Sequence, residues 1–377
     1  MVSATLYICF MPAELIYQIA LTQTPQIGCV AAKKLVDLFG SAEAIFLAKE
    51  NTLAAIEGIG ASKAKSIKSV IGFEQFEAEC QFIEKYKITP LFINNPAYPK
   101  RLLQCYDSPT MLYYRGTANL NQAKTISIIG TRGLTEYGKS FAEKFIKDLA
   151  NENITIISGM AYGIDTVAHK AAVKNNLPTV GVLAHGLDTL YPPENAPLAK
   201  QMVKNNGGLL SEFRSGTKPD RHNFPTRNRI VAGMADATIV VETDLKGGSL
   251  ITAELANNYN RDVFAVPGKT TDTKSRGCNQ LIRQNKAALL TCAQDLLEMM
   301  NWLPLPEKKR KVQRQLFIEM TIEEKIVFEL LDANELLAID DLYMQSGLSS
   351  SAVANALLNL ELQNVVQSLP GKRYKLV

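Results

Sequence analysis

Between about residue 120 and residue 290 the chain repeats one pattern: a short, continuously apolar run, then a stretch with helical spacing. Six apolar runs stand out, at 125–130 (T-I-S-I-I-G), 154–159 (I-T-I-I-S-G), 179–184 (T-V-G-V-L-A), 208–212 (G-L-L-S-E), 237–242 (A-T-I-V-V-E) and 262–268 (D-V-F-A-V-P-G). Runs without polar alternation mark strands covered on both faces. The helices between them show in Phe141, Phe145, Ile146 and Leu149, which share one helical face. Strand and helix alternating in this way predict an α/β architecture, a doubly wound parallel sheet.

The flanks are patterned differently. Residues 5 to about 85 read as short helices, and two glycine-bearing turns there lead into helices with lysines on the outside. They lie in 25–35 (P-Q-I-G-C-V-A-A-K-K-L, with Lys33 and Lys34) and 56–67 (I-E-G-I-G-A-S-K-A-K-S-I, with Lys63, Lys65 and then Lys68). Both resemble helix-hairpin-helix units, whose free backbone N–H groups meet phosphates. Gln26 stands where the first unit would carry glycine. The other reading of this segment is a helical scaffold with no ligand.

Residues 98–116, with Y-P-K-R-L and S-P-T-M-L-Y-Y-R-G, are Pro-punctuated, aromatic and irregular, like a strand-and-turn lead-in to the sheet domain. Residues 321–377 run helix, short helix, a turn at Gly347, helix, hairpin, the order of a winged helix-turn-helix. This segment has four basic residues against eight acidic ones, and its third helix carries neither Lys nor Arg. A protein-contact or autoregulatory role suits it better than duplex reading. The chain is therefore divided into a helical SAM-like or helix-hairpin-helix domain (1–88), the sheet domain (89–300), a basic linker (301–318) and a winged-helix domain (319–377).

Composition changes this picture little. With 377 residues, 46% apolar and 21% charged, the chain is expected to be globular, with two or three domains. A formal charge of +4 barely favours a polyanionic partner. No apolar run reaches membrane-spanning length and the first ten residues lack the charged start of a signal peptide, so a cytoplasmic protein without membrane contact is expected. The six cysteines form no C-x-x-C pair and share no spacing with the three histidines, which argues against a zinc site or a disulfide frame.

Local clustering carries more information. Within 212–253, Arg214, Lys218, Arg221, His222, Arg227 and Arg229 surround Phe224, and a Gly-Gly-Ser turn follows and opens a helix. Ligands of doubly wound sheets sit beyond the carboxyl ends of the strands, so the loops at 130–132, 159–163, 185–188 and 243–249 matter most. Two of them, G-T-R and G-G-S, join glycine to a small hydroxyl at a helix start, where an anion can approach backbone N–H groups. No G-x-G-x-x-G follows the first strand and no G-x-x-x-x-G-K-[ST] occurs, so neither a dinucleotide cofactor nor ATP is expected.

A positive groove with π-faces holds single-stranded nucleic acid without sequence preference. Here Arg132, Arg227 and Arg229 would meet phosphates and Phe224 would stack a base. This needs the arginines in solvent; the other reading makes Arg227 and Arg229 structural, bridged to Asp236, Glu242 or Glu254. His169 reads as a packed or capping residue, and Asp165 and Asp188 as carboxylates that fix loop geometry. The competing class is a nucleotide-cleaving enzyme of phosphoribohydrolase type, with Glu212 and Glu254 as acid and base. The helix-hairpin-helix and winged-helix flanks fit a polymer better than a metabolite.

The ordered set Y-P-K-R-L, I-I-G-T-R-G-L-T-E-Y-G, S-G-M-A-Y-G-I-D-T-V-A-H, G-L-D-T-L-Y-P-P-E-N, F-P-T-R-N-R-I-V-A-G, G-G-S-L-I-T-A-E-L-A and V-F-A-V-P-G resembles the DprA (Smf) family of DNA-processing proteins, over about residues 98–290. The resemblance implies an extended Rossmann-like sheet domain and a non-catalytic single-stranded DNA binder, with no cofactor or metal. It implies a protein that protects incoming DNA and loads the RecA recombinase onto it in natural transformation and homologous recombination. It also implies a homodimer formed through the Rossmann-like domain, with single-strand binding protein as a further partner. The strand-binding positions it carries over are Gly130, Thr131, Arg132, Phe224, Arg227, Asn228, Arg229, Gly248, Ser249, Leu250 and Thr252. Three positions depart from the family pattern: Tyr162 replaces an arginine, Gly247 a serine, and Asn285-Lys286 a helix-ending glycine.

Overall fold

The computed structural model describes residues 13–303 and 320–377. The first twelve residues and residues 304–319, which hold most of the basic linker, lie outside them. The chain falls into two compact units, Met1–Leu290 and Thr291–Val377.

Among the described residues the first unit begins with six α-helices, α1 (Ala13–Gln23), α2 (Cys29–Phe39), α3 (Ala42–Leu47), α4 (Glu50–Ala54), α5 (Gly60–Lys68) and α6 (Glu77–Lys85). Ile19, Leu35, Ile45, Leu53 and Ile67 are fully buried among them. Gly58 and Gly60 turn the chain into α5 at φ +82° and +66°, and Gln26 makes the equivalent turn before α2 at φ +64°. Gln26 thus takes the left-handed backbone that glycine favours, and its Oε1 accepts from Ser62 Oγ at 2.7 Å. Four of the five lysines are held by backbone, and Lys65 is exposed. Lys33, Lys34, Lys63 and Lys68 donate to the carbonyls of Leu103, Glu57, Gly58 and Phe46, which makes them part of the scaffold.

The sheet follows, in the chain order β1 (Thr89–Phe92), α7 (Lys100–Leu103), β2 (Met111–Gly116), β3 (Lys124–Ile129), α8 (Glu136–Asp148), β4 (Ile154–Ser158), α9 (Ile164–Lys174), β5 (Thr179–Leu183), α10 (Ala196–Lys204), β6 (Gly208–Ser211), α11 (Asn223–Gly233), β7 (Ala237–Val240), α12 (Gly248–Asn258), β8 (Asp262–Ala265), α13 (Arg276–Arg283) and β9 (Ala288–Leu289). The nine strands lie side by side as β1-β2-β6-β5-β4-β3-β7-β8-β9. Pairing is antiparallel at β1–β2 and β2–β6 and parallel everywhere else, so the doubly wound, Rossmann-like sheet is present with an antiparallel edge. The six apolar runs of the sequence are β3 to β8. Every residue of β4 and β5 is buried, as strands with helices on both faces must be.

Phe92, Met111 and Tyr113, from the antiparallel edge, share one core with the helical segment. In the lead-in, Tyr98 is fully buried and donates to Pro109 O at 2.6 Å. Arg101 pairs with Asp236 at 2.6 Å, and the same carboxylate accepts from Thr125 N at 2.9 Å, tying the lead-in to the start of β3.

Strand order reverses at β3, which has β4 on one side and β7 on the other. The crevice beyond the carboxyl ends of β3, β4 and β7 is therefore the topological switch point.

The second unit contains α14 (Ala293–Met299), α15 (Ile322–Ala333), β10 (Leu337–Ala338), α16 (Ile339–Ser346), α17 (Ser350–Leu362), β11 (Val366–Leu369) and β12 (Arg373–Leu376), with its three strands ordered β10-β12-β11. Thr321 and Glu324 form a capping box that starts α15. Gly347 ends α16 at φ +66°, and Ser349 caps α17 through Ala352 N. This is a winged helix around Val327, Leu342, Val353 and Leu360.

Candidate nucleic-acid interface

The G-T-R turn leaves β3 against the end of β7. Thr131 N donates to Glu242 O at 2.8 Å. A Cβ on Gly130 would lie 2.6 Å from the Ile164 side chain and 3.0 Å from Glu242 O, so only glycine fits there. Glu242 itself is fully buried, and its carboxylate accepts from Thr135 N at 3.0 Å and from the Thr135 hydroxyl. Those bonds join the turn to the start of α8 and leave Arg132 projecting into solvent.

The G-G-S turn leaves β7 and opens α12. A Cβ on Gly247 would lie 2.1 Å from Thr243 Oγ1, so glycine lets that hydroxyl sit against the turn. Gly248 is the first residue of α12, and the Ser249 Oγ just inside the helix is buried with no hydrogen-bond partner. A helix N-terminus with an orphaned hydroxyl suits an anion.

The arginines of α11 divide. Arg227 is 4% exposed, and its guanidinium lies against Gly159, donating to the carbonyls of Gly159 and Val182 at the ends of β4 and β5. Burial pushes it down to about 10 while the nearby Asp165 holds it up. Arg229 donates to Asp107 O and pairs with Glu212, in a pair whose side chains are 12% and 13% exposed. Burial pushes the Glu212 carboxyl up to about 7. Solvent-exposed phosphate ligands are therefore not what the structure makes of these two residues. Their partners differ from those expected as well, because Asp236 holds Arg101, Glu242 holds Thr135 and Glu254 holds Lys286.

A groove of about 750 Å³ runs over the switch point. Nine of the eleven predicted residues line it: Gly130, Thr131, Arg132, Phe224, Arg227, Asn228, Gly248, Ser249 and Thr252. Arg229 does not, and Leu250 packs against the hydrophobic core instead. Arg221, Lys246 and Lys274 also line the groove, and with Arg132 they make four cations that none of the described carboxylates pairs. Lys246 immediately precedes the G-G-S turn and was legible in the sequence. Lys274 arrives from beyond β8, and nothing local signals it.

The Arg132 guanidinium sits 5.2 Å from the centre of the Phe224 ring, in cation–π range. Tyr191 meets the same ring edge-on at 6.1 Å. Tyr162, in the position of the family arginine, lines the neighbouring recess and donates from its hydroxyl to Glu194 at 2.6 Å. Beneath the loops, Asp165 accepts from Ala161 N at 3.3 Å and Asp188 from Gly216 N at 3.0 Å, so both carboxylates fix loops. His169 is fully buried with Nδ1 2.7 Å from Thr179 Oγ1, whose own proton goes to Ile156 O. Nδ1 is thus the protonated nitrogen, and burial pushes the ring down to about 3.

Topology and site define the class, a Rossmann-like sheet protein with a cationic groove at its switch point. Residues 89–301 match the family model of DNA recombination-mediator protein A, 319–372 that of the DprA winged helix domain, and 19–71 that of a SAM-like helix-hairpin-helix tandem. Protein Smf from Synechocystis sp. is 32% identical over 96% of this chain and 99% of its own length. DNA processing protein DprA from Streptococcus pneumoniae is 41% identical over 57% of this chain and 75% of its own length. An X-ray structure of the Streptococcus pneumoniae protein covers 75% of this chain and 97% of its own at a TM-score of 0.66 and 33% identity. A structure concerned with the single-stranded DNA binding mode of DNA processing protein A from Helicobacter pylori covers 56% of this chain and 94% of its own, at a TM-score of 0.51 and 29% identity. The chain belongs to the DprA (Smf) family of DNA-processing proteins, whose first family model alone spans more than half of it.

Proposed function

We propose that this protein binds single-stranded DNA in the switch-point groove, without cutting it, and loads the RecA recombinase onto the strand in natural transformation and homologous recombination. The observation that carries the reading is Arg132 stacked on Phe224 at the rim of a groove with three further unpaired cations. Cations supply salt-sensitive affinity and a ring supplies stacking of about 1–3 kcal/mol per base, the two needs of a sequence-tolerant single-strand site. Phosphates meet Arg132, Arg221, Lys246, Lys274 and the α12 N-terminus, while Arg227 and Arg229 hold the walls.

The enzyme reading is weaker. Glu212 and Glu254 are each bound to a cation of their own, and neither lines the groove. Homodimerisation through the sheet domain, contact with single-strand binding protein and a cytoplasmic location belong to the same proposal. The winged helix is read as a protein-contact module, since Met344, Leu358 and Leu362 on its helices are exposed.

Titration with oligo-dT and with duplex of equal length, at several salt concentrations, tests the strand reading. A steeply salt-dependent preference for oligo-dT is expected; equal affinities would overturn it. Release of free base from nucleoside monophosphates would favour the enzyme.

A further inference from the structure

A second basic surface lies where α10, the end of β2 and the residues after α6 meet. It shares no lining residue with the groove. Two clefts adjoin there, of about 350 and about 440 Å³, with Arg115 and Val203 in both linings. Arg115, Lys200 and Lys204 surround the first and Lys85 and Lys87 the second, and all five are exposed. None of the described carboxylates pairs with any of them. Lys200 and Lys204 stand one turn apart on α10 and so face the same way. The carboxylate in the lining, Asp188, is engaged with Gly216 N at 3.0 Å. Five uncompensated cations at one place give a local field that an anionic ligand relieves.

The floor of the first cleft decides which anion. It is aliphatic, built from Leu187, Leu190, Ala199, Val203 and Leu209, with no aromatic ring to stack a base and no glycine turn to meet a phosphate. The ring of the second cleft, Tyr86, is already under the Lys85 ammonium at 5.4 Å. A nucleic-acid strand leaves such a floor unfilled, whereas an acidic peptide with a bulky apolar residue satisfies both rim and floor.

We propose that the clefts around Arg115 bind an acidic, apolar-tipped peptide segment of a partner protein, whose carboxylates meet the five cations and whose apolar side chain fills the aliphatic floor. The inference stands apart from the strand-binding reading of the groove, and either can fail without the other.

The test is fluorescence anisotropy of the full chain with a labelled hexapeptide of four aspartates followed by leucine and phenylalanine. Saturable binding is expected, weakened at least about tenfold by Lys200→Glu with Lys204→Glu, and likewise when serines replace the two apolar residues of the peptide. Excess oligo-dT should not displace the peptide, and the double variant should keep the parent's oligo-dT affinity and melting temperature. Absence of saturable binding, or equal binding by parent and folded double variant, would overturn the proposal. Displacement by oligo-dT, or loss of oligo-dT affinity in the double variant, would also overturn it and make the surface a second nucleic-acid site.

Discussion

Arg227 and Arg132 are both arginines beside the same groove, yet they do different work. The Arg132 guanidinium is exposed over Phe224, while that of Arg227 is enclosed by the carbonyls of two strand ends. Arg132→Ala is therefore expected to weaken oligo-dT binding and to flatten its salt dependence by about one unit of slope. Phe224→Ala should cost about 1–3 kcal/mol of binding with the slope unchanged, because a ring neutralises no phosphate. Arg227→Ala should instead lower unfolding free energy by about 3 kcal/mol in urea titrations, since it strips a buried charge network of its donor. A normal urea midpoint with a flattened salt slope would return Arg227 to the strand-contacting set. The F-P-T-R-N-R run is legible as basic and aromatic, but its spacing cannot say which of its side chains face inward.

At the scale of elements, the groove is made by turns from several strands that converge because β3 stands where the strand order reverses. The N-terminus of α12 carries the clearest unmet valence, the buried Ser249 Oγ. Ser249→Ala should leave thermal stability unchanged or slightly higher, because the hydroxyl makes no bond in the free protein, and should weaken oligo-dT by about 1.5 kcal/mol. Unaltered affinity would place the strand elsewhere. The helix-hairpin-helix segment teaches the opposite lesson. Helical periodicity correctly puts its lysines on the outer face, yet four of them are held by carbonyls of neighbouring turns. Those carbonyls belong to residues between 5 and 70 positions away, beyond what a periodicity argument sees.

For the molecule as a whole, a net charge of +4 says little, since the cations that matter are concentrated at the groove and around Arg115. Stability should also carry a mark of the buried histidine. His169 is held neutral in the fold, whereas an unfolded histidine titrates near about 6.5. Below that pH the unfolded chain takes up a proton that the folded chain refuses. Stability from this group is complete above about pH 6.5 and is lost on acidification by up to roughly 1.4 kcal/mol per unit. His185, also pushed down by burial, acts in the same sense, and Asp165, pushed up by burial, acts in the opposite one. His169→Gln should flatten the fall in unfolding free energy between about pH 7 and pH 5; equal slopes in both proteins would remove His169 from the account. The amino-acid sequence by itself determined the six central strands β3 to β8, the helices between them, their order and the glycine turns, because each depends on spacing within a few residues; the antiparallel edge of β1 and β2 emerged only in the sheet. Only the tertiary structure decided that Arg227 and Arg229 turn inward, that Lys274 reaches the groove and that Ser249 stays unpaired. Those outcomes depend on which strand end lies beside which, and that is set by packing between segments far apart in the chain.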